Sequence, residues 1–355
     1  MMVRLTVPTP SAVAITSAVP TAPGLSGTSD RLTRRSASAA SAGAVALVQA
    51  RTPAAETLGR QLAGLTHEPD AFAAALRHGL TALADPANFA ETLRVAPGIG
   101  LTLGVRWPLQ NAIARGFRSA TRGERPVGFL ELADRLFHEP ALEPRWFGVG
   151  LLERVVPVDP ERTWQLLRRA AREAADWITV DILARPVGRG VLLESYRWAE
   201  LEQLVFSPSR WERRLVGSTI ARLPYLDRGL GREPEVATRG LALIGSLLGD
   251  AEPDVQKALA WALRSLTVVD REAVATFVER AAEQAATTRD GHRAWVLRDA
   301  MPKLPPEIAE RVRQHLQGIR RSGDAPATST ASTLAARFAG EAGLPDPRSH
   351  PEPPL

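Results

Sequence analysis

Glu252-Pro253-Asp254-Val255-Gln256-Lys257-Ala258-Leu259-Ala260-Trp261-Ala262-Leu263-Arg264-Ser265-Leu266 reads as one amphipathic helix, and its pattern recurs along the chain. Val255, Leu259, Ala262 and Leu266 fall on one face at helical spacing, as a core-facing stripe does. Lys257, Trp261 and Arg264, at i, i+4 and i+7, share another face. Pro253 suits the first turn, where a missing N–H costs nothing. Core packing alone explains poorly a tryptophan set between two cations.

Outward from this helix the pattern repeats. Phe72-x-x-x-Leu76-x-x-x-Leu80-x-x-Leu83 ends at Asp85-Pro86, and Phe129 to Phe137 is followed by Glu139-Pro140. Phe147 to Val156, Trp164 to Ala174, Trp211 to Leu223, Val236 to Leu248 and Val274 to Ala285 carry apolar residues at i, i+3 and i+4. Breakers separate them, among them Pro126, Pro140, Pro144, Pro157, Pro186, Pro208, Pro224 and Pro302. No stretch alternates as a strand does. Helices of about 10–16 residues, paired at intervals of about 35–45, predict an all-α, curved HEAT-like helical-repeat solenoid whose concave face binds the partner.

Composition agrees. The 355 residues are 45% hydrophobic but only 5% aromatic, and rich in Ala, Leu and Arg, which lose little freedom in a helix. The net charge is +5, and Lys257 and Lys303 are the only lysines. Arginine suits bidentate phosphate contacts, although genome base composition also drives this exchange. The absence of cysteine excludes disulfides, thiolate zinc sites and iron–sulfur clusters. The six histidines show no ligand spacing, so neither a metal nor a cofactor is expected. No apolar run approaches the roughly 18 residues of a membrane span, so a soluble, intracellular protein without a membrane partner is expected.

The ends differ from the middle. Residues 1–43 are dominated by Ala, Ser, Thr, Pro and Val, with Asp30 the only acid. Residues 1–50 therefore read as a disordered leader or an over-extended start, with an acid-poor targeting peptide as the lesser alternative. Residues 51–321 form the expected repeat domain, and 322–355 a Pro/Ala/Ser-rich tail.

Two further patches could carry chemistry. Trp177 and Asp181, at i, i+4, project from one helix face. The alternative is a core tryptophan with a capping or solvated aspartate. However, Ile178-Thr179-Val180 and Ile182-Leu183 make a carboxylate costly there unless it meets a groove or a cation. Ser207-Pro208-Ser209-Arg210-Trp211-Glu212-Arg213-Arg214 looks like a helix start, where N–H groups and guanidinium could clamp a phosphate. A plain Arg–Glu surface pair fits it equally well. Gly98-Ile99-Gly100-Leu101-Thr102-Leu103-Gly104 has the wrong spacing for a dinucleotide loop and reads as an inter-helix turn.

Taken in order, these stretches resemble the HEAT-like DNA alkylation repair family, the AlkD-type alkylpurine DNA glycosylases. Gln256 to Arg264 is similar to its signature, Trp177-x-x-x-Asp181 to its Trp and catalytic Asp, and Trp211-x-Arg213-Arg214 to its Trp-x-Arg-Arg helix. Leu103-Gly104-Val105-Arg106-Trp107-Pro108 resembles its Gly-Val-Lys/Arg-x-Pro segment, and Glu143-Pro144-Arg145 its Glu-x-Arg step. The resemblance spans about residues 70–320. Two departures stand out: Gln110-Asn111 replaces a usual arginine, and the interval around Asp227 to Glu233 is lengthened.

The resemblance implies excision of cationic N3- or N7-alkylated purines from duplex DNA by a monomeric, cofactor-free, nucleoid-associated cytoplasmic enzyme. Asp181 would stabilise an oxocarbenium-like sugar, with Trp177 and Trp261 as walls. Arg213 or Arg214 would hold a phosphate, and Lys257, Arg264 and Arg106 would contact the backbone. The family reads the lesion without a deep base pocket. The alternatives are a non-catalytic HEAT-like binder of damaged or branched DNA and, third, a protein-binding scaffold.

Overall fold

The computed structural model describes residues 29–341. Residues 1–28 of the expected leader and 342–355 of the expected tail lie outside the described residues. By internal contacts the chain divides into Met1–Ala50 and Arg51–Leu355. The described part of the first unit is helical, and helix α1 runs Ser29–Leu62.

Fifteen further α-helices are described. They are α2 (Pro69–Ala82), α3 (Pro86–Val95), α4 (Trp107–Ala120), α5 (Phe129–Phe137), α6 (Leu142–Val155), α7 (Pro160–Glu173) and α8 (Trp177–Leu193). There follow α9 (Arg197–Val205), α10 (Arg210–Leu226), α11 (Pro234–Leu247), α12 (Pro253–Leu266), α13 (Arg271–Thr288), α14 (Gly291–Ala300), α15 (Pro306–His315) and α16 (Thr330–Glu341). No strand occurs among the described residues, and no described helix is long and apolar enough to cross a membrane.

Local chemistry sets the starts. Asp85, Asp159, Asp176, Asp270 and Asp290 each cap a helix by accepting from a backbone N–H two or three residues on. Proline opens α2, α3, α7, α11, α12 and α15. Pro186 and Pro224, expected as breakers, lie instead inside α8 and α10. Both are buried, and the packing of these two apolar helices outweighs the roughly 3 kcal/mol cost of an internal proline.

Helices two apart in sequence stack on one another. One layer runs α4, α6, α8, α10, α12, α14, and the other contains α5 on α7 and the run α9, α11, α13, α15. This is the all-α helical-repeat architecture the helix rhythm predicts. Helix α10 is central, packed between α8 and α12. Gly217 brings α10 against α12 so closely that an added Cβ would lie 2.9 Å from the Ala258 backbone. In α12, Val255, Leu259, Ala262 and Leu266 are buried, while Lys257 is exposed and Trp261 and Arg264 half-buried.

Part of the expected tail, up to residue 341, is described. The Thr328 N–H donates to the Gly249 carbonyl at 2.8 Å, Ser329 accepts from the Ser332 N–H, and α16 packs on α11. Ser329 and Ala331 are buried, and their small side chains permit close docking.

Candidate active site

The first turn of α8 is fixed by a chain of bonds. Asp176 accepts from the Thr179 N–H at 2.8 Å and from its hydroxyl at 2.7 Å. The same hydroxyl accepts from the Trp146 indole N–H at 2.9 Å. Trp177, Ile178 and Ile182 then pack on an apolar cluster of Ala96, Ile99, Leu142 and Trp146. The Trp177 indole N–H points at the Val95 carbonyl, 3.4 Å away.

One turn on, Asp181 meets α10. Its Oδ1 accepts from Arg214 Nε at 3.1 Å and from the Ser218 hydroxyl at 2.6 Å, and its Oδ2 from Arg214 Nη2 at 2.9 Å. Arg214 is buried, its Nη1 donates to the Asp254 carbonyl of α12 at 2.7 Å, and its guanidinium lies 5.8 Å from the Trp177 ring centre. One guanidinium thus ties α8 to α12 and fixes the carboxylate in a two-point fork. The carboxylate that its apolar flanks made costly has both a cationic partner and a groove.

That groove is a cleft of 590 Å³, walled by α4, α6 and α8 with Arg222 of α10. Trp107, Trp146, Phe147 and Trp177 supply aromatic surface, and Asp181 faces it. Trp107 is half-exposed at the start of α4, whereas Trp146, Trp164 and Trp198 are buried. The segment before α4 is stapled by Glu143. Its buried carboxylate accepts from the N–H groups of Leu103, Gly104 and Val105 at 2.9 to 3.3 Å. Gly104 adopts φ +80°, a left-handed conformation that glycine takes without strain. The Gly98–Gly104 stretch is the connection between α3 and α4, as expected.

Two site residues escaped the sequence reading, Ser218 and Arg222. Together with Arg214 they form Arg214-x-x-x-Ser218-x-x-x-Arg222, a polar stripe at i, i+4, i+8. That periodicity was the available signal. Arg222 Nε donates to the Asp181 carbonyl at 3.1 Å, and its guanidinium lies 5.2 Å from the Trp261 ring centre. Trp261 is thereby linked to Asp181 through Arg222. Burial holds the Arg222 pKa below the usual arginine value, against the pull of Asp181.

The other expected contacts sit apart from this arrangement. Arg213 donates to Asp250 at 2.7 Å and to the Ser207 and Pro208 carbonyls at 2.9 Å each. Arg106 pairs with Asp85 at 2.6 Å, and Arg264 with Asp299 at 2.5 Å. Lys257 is exposed, 3.9 Å from Asp254. Trp211 is half-buried beneath the Arg210 guanidinium at 4.7 Å. Gln110 and Asn111 line the cleft, and none of residues 227–233 does. Among the described residues no group of three His, Asp or Glu side chains could hold a metal ion.

A family model described as DNA alkylation repair enzyme matches residues 76–304, the stretch that contains every element of this cleft. No curated protein matches the chain.

Proposed function

Because the chain belongs to the family of DNA alkylation repair enzymes, we propose that it is a glycosylase releasing cationic N3- or N7-alkylated purines from duplex DNA. In such a nucleotide the base already carries the positive charge. When the glycosidic bond breaks, its electron pair goes to the base, which leaves neutral, and the sugar becomes oxocarbenium-like. A carboxylate set against the sugar stabilises that cation, and water then adds to C1′ and loses a proton. No strong general acid is required.

Asp181 is the candidate for this role. A carboxylate offers about four lone-pair sites. Arg214 and Ser218 occupy three, leaving one on Oδ2 for the attacking water. Trp177 and Trp261 supply aromatic surface for the damaged nucleotide. The observation that carries the reading is a clamped carboxylate on the wall of an aromatic cleft, in a member of this repair family. Lys257, exposed and only loosely paired, is the candidate for backbone contact on α12. We assign Arg106, Arg213 and Arg264 to holding helices together, since each is engaged by a carboxylate of the protein.

The test is base release from a methylated duplex. Asp181→Asn keeps an acceptor for Arg214 and Ser218 but removes the charge, and is expected to slow release by about 100- to 1,000-fold while still binding DNA. An Asn variant as fast as the parent would sink the assignment. A second reading rests on the completeness of the Asp181–Arg214 pair: the carboxylate is then structural and the protein a non-catalytic DNA binder. That reading expects no release from the parent either.

A further inference from the structure

Among the described residues no carboxylate hydrogen-bonds to Arg222, a cation on the wall of the cleft. Three carboxylates line it, and each is already taken. Glu143 accepts three backbone N–H groups, both oxygens of Glu153 accept from Arg185 Nε at 2.7 Å, and Asp181 is held by Arg214 and Ser218. Arg154, also on the wall, spends both terminal nitrogens on Thr121.

Arg222 has no such partner. Arg222 lines the cleft, and among the described residues its one hydrogen bond is Nε to the Asp181 carbonyl, which leaves Nη1 and Nη2 without a hydrogen-bond partner. Trp261 covers one face of the guanidinium and fixes its plane. Arg185 adds like charge nearby, and burial disfavours the charged form. Asp181 and Glu153 lie near enough to favour its charged form, but among the described residues neither carboxylate hydrogen-bonds to it, so its Nη groups can take an external anion.

We propose that Arg222 binds a DNA phosphodiester, gripping the phosphate next to the nucleotide that faces Asp181. Its two free Nη groups form a planar fork that matches two phosphate oxygens. The bond to the Asp181 backbone places this grip and the reacting sugar in one frame, so the sugar is positioned by its own phosphate. This rests on the glycosylase reading of the cleft. It assigns the phosphate grip to Arg222, because Arg213 and Arg214 are both committed within the protein.

The experiment is equilibrium binding of the full chain to a labelled duplex carrying a tetrahydrofuran abasic analogue, across a salt series. Each phosphate neutralised contributes about 0.9 to the slope of log K against log salt. Arg222→Gln is expected to lower the slope by about that amount and weaken binding at low salt about tenfold. Arg222→Lys, which restores the charge, is expected to recover the slope. A purely structural arginine would alter thermal stability but leave the slope unchanged. A parental slope in Arg222→Gln overturns the assignment, as does a reduced slope in Arg222→Lys. If the parent binds no duplex, the DNA reading of the cleft fails as a whole. If the parent binds and releases base while Arg222→Gln keeps its slope, only the Arg222 assignment falls.

Discussion

Glu143 and Asp181 line the same cleft, and one is a staple while the other is the carboxylate we propose for catalysis. Glu143 is 2% exposed, and its carboxylate is used up by three backbone N–H groups of the segment before α4. Asp181 keeps a side chain 16% exposed, its carboxylate is held by side chains only, and it retains a lone pair that no hydrogen bond uses. The difference lies in the partners. Backbone donors cannot move aside without unfolding a loop, so a carboxylate that satisfies them is tied to stability. Arg214 and Ser218 orient a carboxylate and leave it accessible.

Glu143→Ala tests the first half of this contrast and has the largest expected effect on stability. It orphans the N–H groups of Leu103, Gly104 and Val105, at a cost of about 3 kcal/mol or more, read as a lower midpoint in urea unfolding. Stability equal to the parent's would mean that this segment finds other partners, and the contrast would break. Asp181→Asn should shift the balance toward function, with base release slowed about 100- to 1,000-fold, and, because the buried Arg214 loses its anion, with a lower unfolding midpoint as well.

Ser218→Ala sharpens the picture of Asp181. It removes the 2.6 Å bond to Oδ1 and leaves the Arg214 fork. The expected loss is about 1 kcal/mol of stability, with base release slowed by up to about tenfold, the rate equivalent of about 1.4 kcal/mol. An unchanged rate would show that Arg214 alone orients the carboxylate.

The smallest effect concerns a third carboxylate. Burial pushes the Asp85 pKa up, but the bonds from Arg106 and the Ala87 N–H pull harder, and it lies below the ordinary value. A depressed folded pKa gives stability that is fully present above the unfolded value and lost as pH falls through the folded one. The stability difference between the parent and Asp85→Asn should therefore be flat from about pH 5 to 8 and shrink only below about pH 4. A difference that varied across neutral pH would point to another titrating group.

Much of the fold was legible. Helical periodicity and first-turn prolines are local, and they located many of the helices and the repeat rhythm. The proline rule misled at Pro186 and Pro224, because burial of a whole helix outweighs one missing N–H. At the site, Trp177 and Asp181 were readable as one face, and the apolar flanks of Asp181 already called for a cation or a groove.

The sequence by itself determined which side chains share a helix face, since 3.6 residues per turn follows from the backbone alone. Only the tertiary structure decided which faces meet. Arg213 and Arg214 are chain neighbours with the same chemistry, yet about 100° around the helix separates them. One reaches Asp250, the other Asp181 and the Asp254 carbonyl. That choice depends on how α10 is rotated between α8 and α12, with Gly217 against Ala258 among its contacts. The same rotation turned Ser218 and Arg222 toward Asp181. No local pattern encodes a rotation set by side chains from helices far away in the chain.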